Sequence, residues 1–207
     1  EQDTGAQVLF VRWHQGRLGE VIPMIEQFMA TYSNETLAAG LAMAYAETSN
    51  HARARQLLAE GRQVGYGAAF DYIFLMVTSC WAVAASEVGD EDAAAVLYDQ
   101  LLPWRDRVGF NGIVMTGAVA HYLGRLATVL GRREEANDHF GLALRIHERV
   151  KAPFFIASTQ LEWGRLLHAT EPDRAGDMLT RARDLAATHG CARVERLADE
   201  ALRGTGC

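Results

Sequence analysis

Lysine is almost absent from this chain: of its twenty basic residues only Lys151 is a lysine. Acidic residues outnumber basic ones, 26 to 20, so the net charge is −6 and the pI is near 5.6. That balance excludes a dedicated nucleic-acid surface, which shows a basic excess. Cysteine is scarce as well. Cys80, Cys191 and Cys207 are odd in number and widely spaced, which argues against a disulfide framework and for a reducing, cytoplasmic setting. No C-x-x-C or H-E-x-x-H occurs, so no zinc site is expected. No G-K-[ST] or G-x-G-x-x-G occurs, so no phosphate loop is expected. The longest apolar stretch lies between Asp71 and Glu87 and is punctuated by Thr78, Ser79 and Ser86. It falls short of the roughly 20 residues of a membrane span. No alternating β-branched stretch reads as a strand. The opening "EQDTGAQ" has neither an initiator Met nor a signal peptide's basic and apolar regions, so the chain is expected to begin inside a longer protein.

What the sequence does have is a repeat. From Gly131, Ala136, Phe140 and Ala143 follow at offsets of five, nine and twelve, and Leu123 and Gly124 precede it. From Gly89 the same offsets give Ala94, Tyr98 and Leu101; from Ser49, Ala54, Leu58 and Gly61; from Gly16, Val21, Ile25 and Phe28. A fifth copy, one residue shorter in its turn, gives Ala175, Leu179 and Ala182. The anchors at 16, 49, 89 and 131 lie 33, 40 and 42 residues apart, a period that marks a helical solenoid. A small, a large and another small residue at i, i+4 and i+7 share one helix face. The small ones admit a neighbouring helix and the large one fills the gap. The anchor glycine ends the preceding helix because it takes a left-handed backbone cheaply.

The expected fold is therefore all-α: an α-solenoid of about five antiparallel helix pairs forming a single domain over residues 1–207. The pairs read as 5–15 with 18–32, 36–48 with 51–63, 70–88 with 91–104, 115–130 with 133–150, and 154–168 with 173–189. A C-terminal capping helix at about 192–203 presents Arg193, Glu195, Arg196, Asp199 and Glu200 as a charged outer face. Pro103, Pro153 and Pro172 fall at helix ends, whereas Pro23 lies inside the second helix and predicts a later start or a kink there. "GYGAAF" (Gly65 to Phe70) and "GFNGIVMTGA" (Gly109 to Ala118) read as spacer loops.

No residue set announces a reaction. His139 and His147 are eight apart on one helix, too far for one metal without a third element. Glu134–Glu135 and Glu91–Asp92 open helices, where carboxylates offset the positive helix end. Trp81 and Trp163 occupy the template position of Leu123, so both are assigned to the core, as is Cys80. No catalytic, cofactor-binding or metal residues are assigned.

The template Leu123, Gly124, Gly131, Ala136, Phe140, Ala143 resembles the tetratricopeptide repeat. Arg133 stands where that family has an aromatic and Ala127 where it has Tyr; Tyr45 in the second unit matches the Tyr position. Over nearly the whole chain, the series "VRWHQGRLGEVIPMIEQF", "AMAYAETSNHARARQLLAE", "WAVAASEVGDEDAAAVLYDQLLPW", "GAVAHYLGRLATVLGRREEANDHFGLAL" and "APFFIASTQLEWGRLL" is similar to the C-terminal helical-repeat region of large actinobacterial regulators. Those carry a signalling ATPase core, often with an adenylyl cyclase domain ahead or a LuxR-type DNA-binding domain behind. The resemblance implies that the chain is the repeat region of such a regulator, with any catalytic or DNA-binding domain outside it.

In tetratricopeptide-like arrays the first helix of each pair lines a concave face. That implies a groove stacked with Met43, Met76, His121, Arg125, Arg165 and His168, apolar at its N-terminal half with Phe10 and cationic at its C-terminal half. Arg125 and Arg165 would be exposed there and removable at little cost to stability. A groove of this kind suits a segment with an acidic end. The expected function is a protein-interaction or regulatory module that binds a partner segment or its own parent chain, with no cofactor, no nucleic acid, no membrane and no reaction of its own. The alternative is a small-molecule inducer sensor.

Overall fold

A computed structural model of the chain describes residues 2–31, 35–67 and 73–204. Eleven helices run through the described residues: α1 (Gln2–His14), α2 (Ile22–Thr31), α3 (Glu35–Glu47), α4 (His51–Gln63), α5 (Phe74–Val88), α6 (Glu91–Leu101), α7 (Val119–Val129), α8 (Arg133–Arg149), α9 (Pro153–Leu167), α10 (Pro172–Thr188) and α11 (Ala192–Gly204). The fold is all-α, and among the described residues the only strands are those of one hairpin, β1 (Val108–Phe110) and β2 (Met115–Ala118). No helix of the described residues is long and apolar enough to cross a membrane.

The turn anchors behave as the repeat predicts. Gly16, Ser49, Gly89 and Gly131 all adopt left-handed backbone, with φ of 70°, 64°, 67° and 69°. Each ends a first helix and turns the chain back into a second one. Asn50 and Asp90, the residues that follow two of these anchors, cap α4 and α6 by accepting from Arg53 N–H and Ala93 N–H. Across the pairs, the small residue of the first helix meets the large residue of the second. A Cβ added to Gly124 would lie 2.7 Å from the Phe140 ring, and one on Gly164 would lie 2.8 Å from Leu179. These are equivalent crossings in successive units.

The helices form two layers. α3, α5, α7 and α9 pack one on the next, while α4, α6 and α8 each pack on their own partner and on the following first helix. The inner layer is the more buried: twelve of the fifteen α5 residues are buried, against four of thirteen in α4. Trp81, Trp163 and Cys80 lie in this core. α11 packs on α10 and α9.

Three expectations are corrected. The first pair is irregular: residues 18–20 form a 3-10 turn and α2 begins only at Ile22, which places Pro23 in its first turn. The shortened α2 packs mainly on α3. The start expected at residue 70 lies partly outside the described residues, and α5 runs from Phe74. Finally, the segment 109–118 is not a spacer loop but most of the hairpin, so α7 starts at Val119 rather than at residue 115. Val108 pairs with Ala118, Gly109 with Gly117 and Phe110 with Met115. The Asn111 side chain accepts from the Ile113 and Val114 amides, closing the turn. The Tyr122 hydroxyl donates to the Thr116 carbonyl and ties the hairpin to α7. Strands of three and four residues broken by Gly109 and Gly117 leave no alternation for a sequence reading to find.

Ser49 is the one anchor among the four without a glycine. A left-handed backbone costs an ordinary residue roughly 1–2 kcal/mol, partly offset by the greater unfolded-state entropy of glycine. Ser49→Gly should therefore raise the unfolding free energy by about 0.5–1 kcal/mol in urea denaturation. Phe140→Ala should lower it by about 3–5 kcal/mol, and Gly124→Ala by about 1–3 kcal/mol through overpacking. A neutral Gly124→Ala would show that α7 and α8 do not cross at this register.

Candidate functional site

The structure divides the six residues expected to line a groove. Met43, Met76 and His121 are core residues. Arg125 is also buried, at 7% exposure, so the exposed cationic wall expected from the sequence is not formed. The reason is a carboxylate across the layer: Arg125 Nη2 lies 2.6 Å from Glu87 Oε1 of α5. Only Arg165 and His168 are exposed. They share an open depression of about 350 Å³ with Leu179, Glu200, Ala201 and Gly204. Arg165 pairs loosely with Glu162 at 3.3 Å, one turn back on α9.

Around Arg125 the first helices and α11 bring six charges together. Glu47 ends α3, Glu87 lies one residue from the end of α5, Arg125 is in α7, and Glu162 and Arg165 are in α9. The sixth comes from α11: Arg193 places Nε 2.6 Å from Glu47 Oε2 and Nη2 3.2 Å from Glu87 Oε2. Three carboxylates thus face three guanidiniums. Glu47 and Arg193 are close but poorly aligned, and neither Glu47 Oε2 nor Arg193 Nε has a hydrogen bond of good geometry. The short distance shows charge attraction, and the angle shows that the contact is not an optimised bridge.

Burial pushes the Glu47 carboxyl up to about 7, against the opposing pull of Arg193, Arg125 and the Trp13 indole; the charge on Glu87 adds to the rise. Glu87 goes the other way. Burial raises it, but Arg125, Arg193 and Arg165 together outweigh burial and hold it below the usual carboxylate range. Two carboxylates in equivalent positions thus differ because one has two arginine partners within ion-pair distance and the other has one.

A second contact joins the two ends of the chain. Trp13 of α1 meets Phe154 and Phe155 of α9 edge-on, with ring centroids 5.1 and 6.1 Å apart. His14 stacks on Phe154 at 3.9 Å. Its Nε2 is buried without a hydrogen-bond partner, and burial lowers its pKa to about 4. Phe10 is buried beside Trp13. The apolar half of the expected face is therefore filled by α1 and α9 rather than open.

Three further histidines, His121, His139 and His147, are structural ties. Ala118 N–H donates to His147 Nε2 at 2.7 Å. A backbone amide only donates, so the His147 proton sits on Nδ1 and is given to Thr159 Oγ1 at 3.1 Å. The Thr159 hydroxyl is then free to donate to His121 Nδ1 at 3.0 Å. Burial lowers both histidines, His147 to about 4 and His121 well below its ordinary value. Both therefore stay neutral and suit this chain of hydrogen bonds. His139 meets the Tyr98 hydroxyl, which donates to Glu135 at 2.6 Å. Glu135 thus links α6 to α8 as well as facing the α8 N-terminus. Among the described residues no group of three or more His, Cys, Asp or Glu could hold a metal ion.

The sequence reading overlooked Glu47 and Glu87 and put Arg193 on a charged outer face, whereas its side chain turns inward to both carboxylates. The first two had a signal: each lies two residues before a turn anchor, Ser49 and Gly89, in adjacent units. Arg193 had none, because a charged first turn on a terminal helix reads as a solvated cap.

Two measurements probe the charged set. Arg125→Ala should cost about 3–5 kcal/mol in denaturant unfolding, because it strands a buried carboxylate. A loss below about 1 kcal/mol would place Arg125 at the surface. Glu47 binds its proton more tightly in the folded chain than in the unfolded one. Between about pH 4.5 and 7, therefore, its contribution to stability falls as pH rises. The stability of Glu47→Gln relative to wild type should accordingly improve by about 1 kcal/mol per pH unit from pH 5 to 7. A constant difference would mean that Glu47 does not titrate in that window.

Comparison with protein-family models, with curated proteins and with solved structures finds no match to this chain.

Proposed function

We propose that this chain is a protein-interaction module, built as a short tetratricopeptide-like array, that holds a helical segment of a partner or of its own parent chain against its first helices. The observation that carries the reading is the set of charges gathered from α3, α5, α7 and α9, together with its engagement of a helix, α11, from the far end of the chain. Helix-in-groove recognition works this way: apolar residues of a segment are buried and a few charges fix its register. The resemblance to regulator repeat regions supports a setting beside a signalling ATPase in the cytoplasm. In this reading the module biases its neighbours by binding and performs no reaction itself.

The expected preference for an acidic segment changes with the geometry. Arg125 is already paired to Glu87, which leaves Arg165 as the exposed arginine of the two. A second reading, a small-molecule sensor, is favoured by the depression at Arg165 and His168, whose volume is at the lower end of ligand sites. Its open shape and charged rim favour a segment instead.

Fluorescence anisotropy with a panel of labelled helical peptides of graded charge tests the module reading. At least one amphipathic peptide should bind the intact chain with a Kd below about 100 µM, and Arg165→Ala with His168→Ala should change that affinity at least fivefold. Absence of binding across the panel at millimolar chain concentration would reject the reading. Thermal stabilisation by small anions, lost in the same double variant, would favour the sensor.

A further inference from the structure

We infer that the site floored by Glu47 and Glu87 is a receptor for an amphipathic helix carrying an arginine in its first turn, and that α11 is its resident, displaceable occupant. This rests on the interaction-module reading and names the partner's chemistry and its gate.

Charge balance is the first argument. Without Arg193 the set holds three carboxylates, Glu47, Glu87 and Glu162, and two guanidiniums, Arg125 and Arg165. An arginine entering the vacated site supplies the third guanidinium and draws the buried Glu47 towards its ionised form. The site lies where α3 and α5 end, and helix C-termini add partial negative charge. Two carboxylates from different helices suit a guanidinium fork, which offers several donors in one plane.

The grip on α11 is the second argument. Within the helix only Val194 and Ala198 are buried, and Cys191 is buried just before it. Its outer side carries an exposed Arg196–Glu200 pair at 2.7 Å. Gly16 forms a bare shelf under its first turn, where an added Cβ would come 2.9 Å from that of Arg193. The helix is held by one arginine, a close backbone contact and an apolar stripe in which Leu197, Ala201 and Leu202 pack half-buried beside Val194 and Ala198. The Arg193–Glu47 contact is itself misaligned, so an incoming arginine with better geometry competes on favourable terms. The pattern to be matched is that of α11: arginine at the second position, then apolar residues one and five positions on.

Cys191 reports the opening directly. Alkylation of the intact chain, mapped by mass spectrometry, should be at least tenfold faster at Cys191 than at Cys80, which lies deep in α5. Arg193→Ala should speed Cys191 at least tenfold more and leave Cys80 unchanged. Equal rates at the two cysteines in wild type would overturn the inference, and that comparison needs no variant. A labelled peptide of residues 189–204 should then bind Arg193→Ala at least tenfold more tightly than wild type. The same peptide bearing Arg193→Ala should bind neither. If Cys191 opens but the peptide is not captured, the receptor assignment falls while the module reading stands on its own peptide panel. A wild-type dimer that exchanges α11 between copies would assign the site to a second copy and overturn the partner assignment.

Discussion

The Phe140 ring lies directly on the bare backbone of Gly124, and Leu179 lies on Gly164 in the same way one unit later. Two helices approach this closely only where one lacks a side chain and the other supplies enough surface to fill the gap. Burying such a large side chain is worth about 1.5–3 kcal/mol, and close packing makes the contact specific. The α3–α4 and α5–α6 pairs carry Ala42 and Ala82, both fully buried, at the matching position. The inner layer of α3, α5, α7 and α9 is the consequence. Once each hairpin is set, its remaining apolar face has only the next hairpin against which to be covered.

That layer puts helix ends side by side, and the buried charges follow. Charges buried in this way are weak contributors to stability and strong determinants of arrangement, because each has to find its partner or be left stranded. Arg125 illustrates the rule: one carboxylate from α5 changes it from a groove residue to a buried one. Arg193 closes the set from the other end of the chain, while Trp13 reaches Phe154 and Phe155. The first and last helices thus meet on the same inner layer.

The repeat anchors were legible because a left-handed turn and a 3.6-residue period leave marks in local sequence. Four turns, most helix boundaries and the core roles of Trp81, Trp163 and Phe140 could be read from those marks. Pro23 correctly signalled a late start for α2. The hairpin was not legible, since its strands are held by contacts to Tyr122 and His147 that lie six and 29 residues away in sequence. Arg125 was read as exposed because its partner Glu87, 38 residues away, leaves no local mark.

The amino-acid sequence by itself determined the all-α class, the helix pairs and the residues that cross within each pair. These depend on spacings of a few residues, within which period and turn chemistry act. Tertiary structure alone decided which charges are buried and which helix lies over them. Glu47 and Arg193 are 146 positions apart, and no local preference says that they will meet. Their meeting depends on how the pairs stack and where the ends of the chain return, and that is set by the sum of all the crossings.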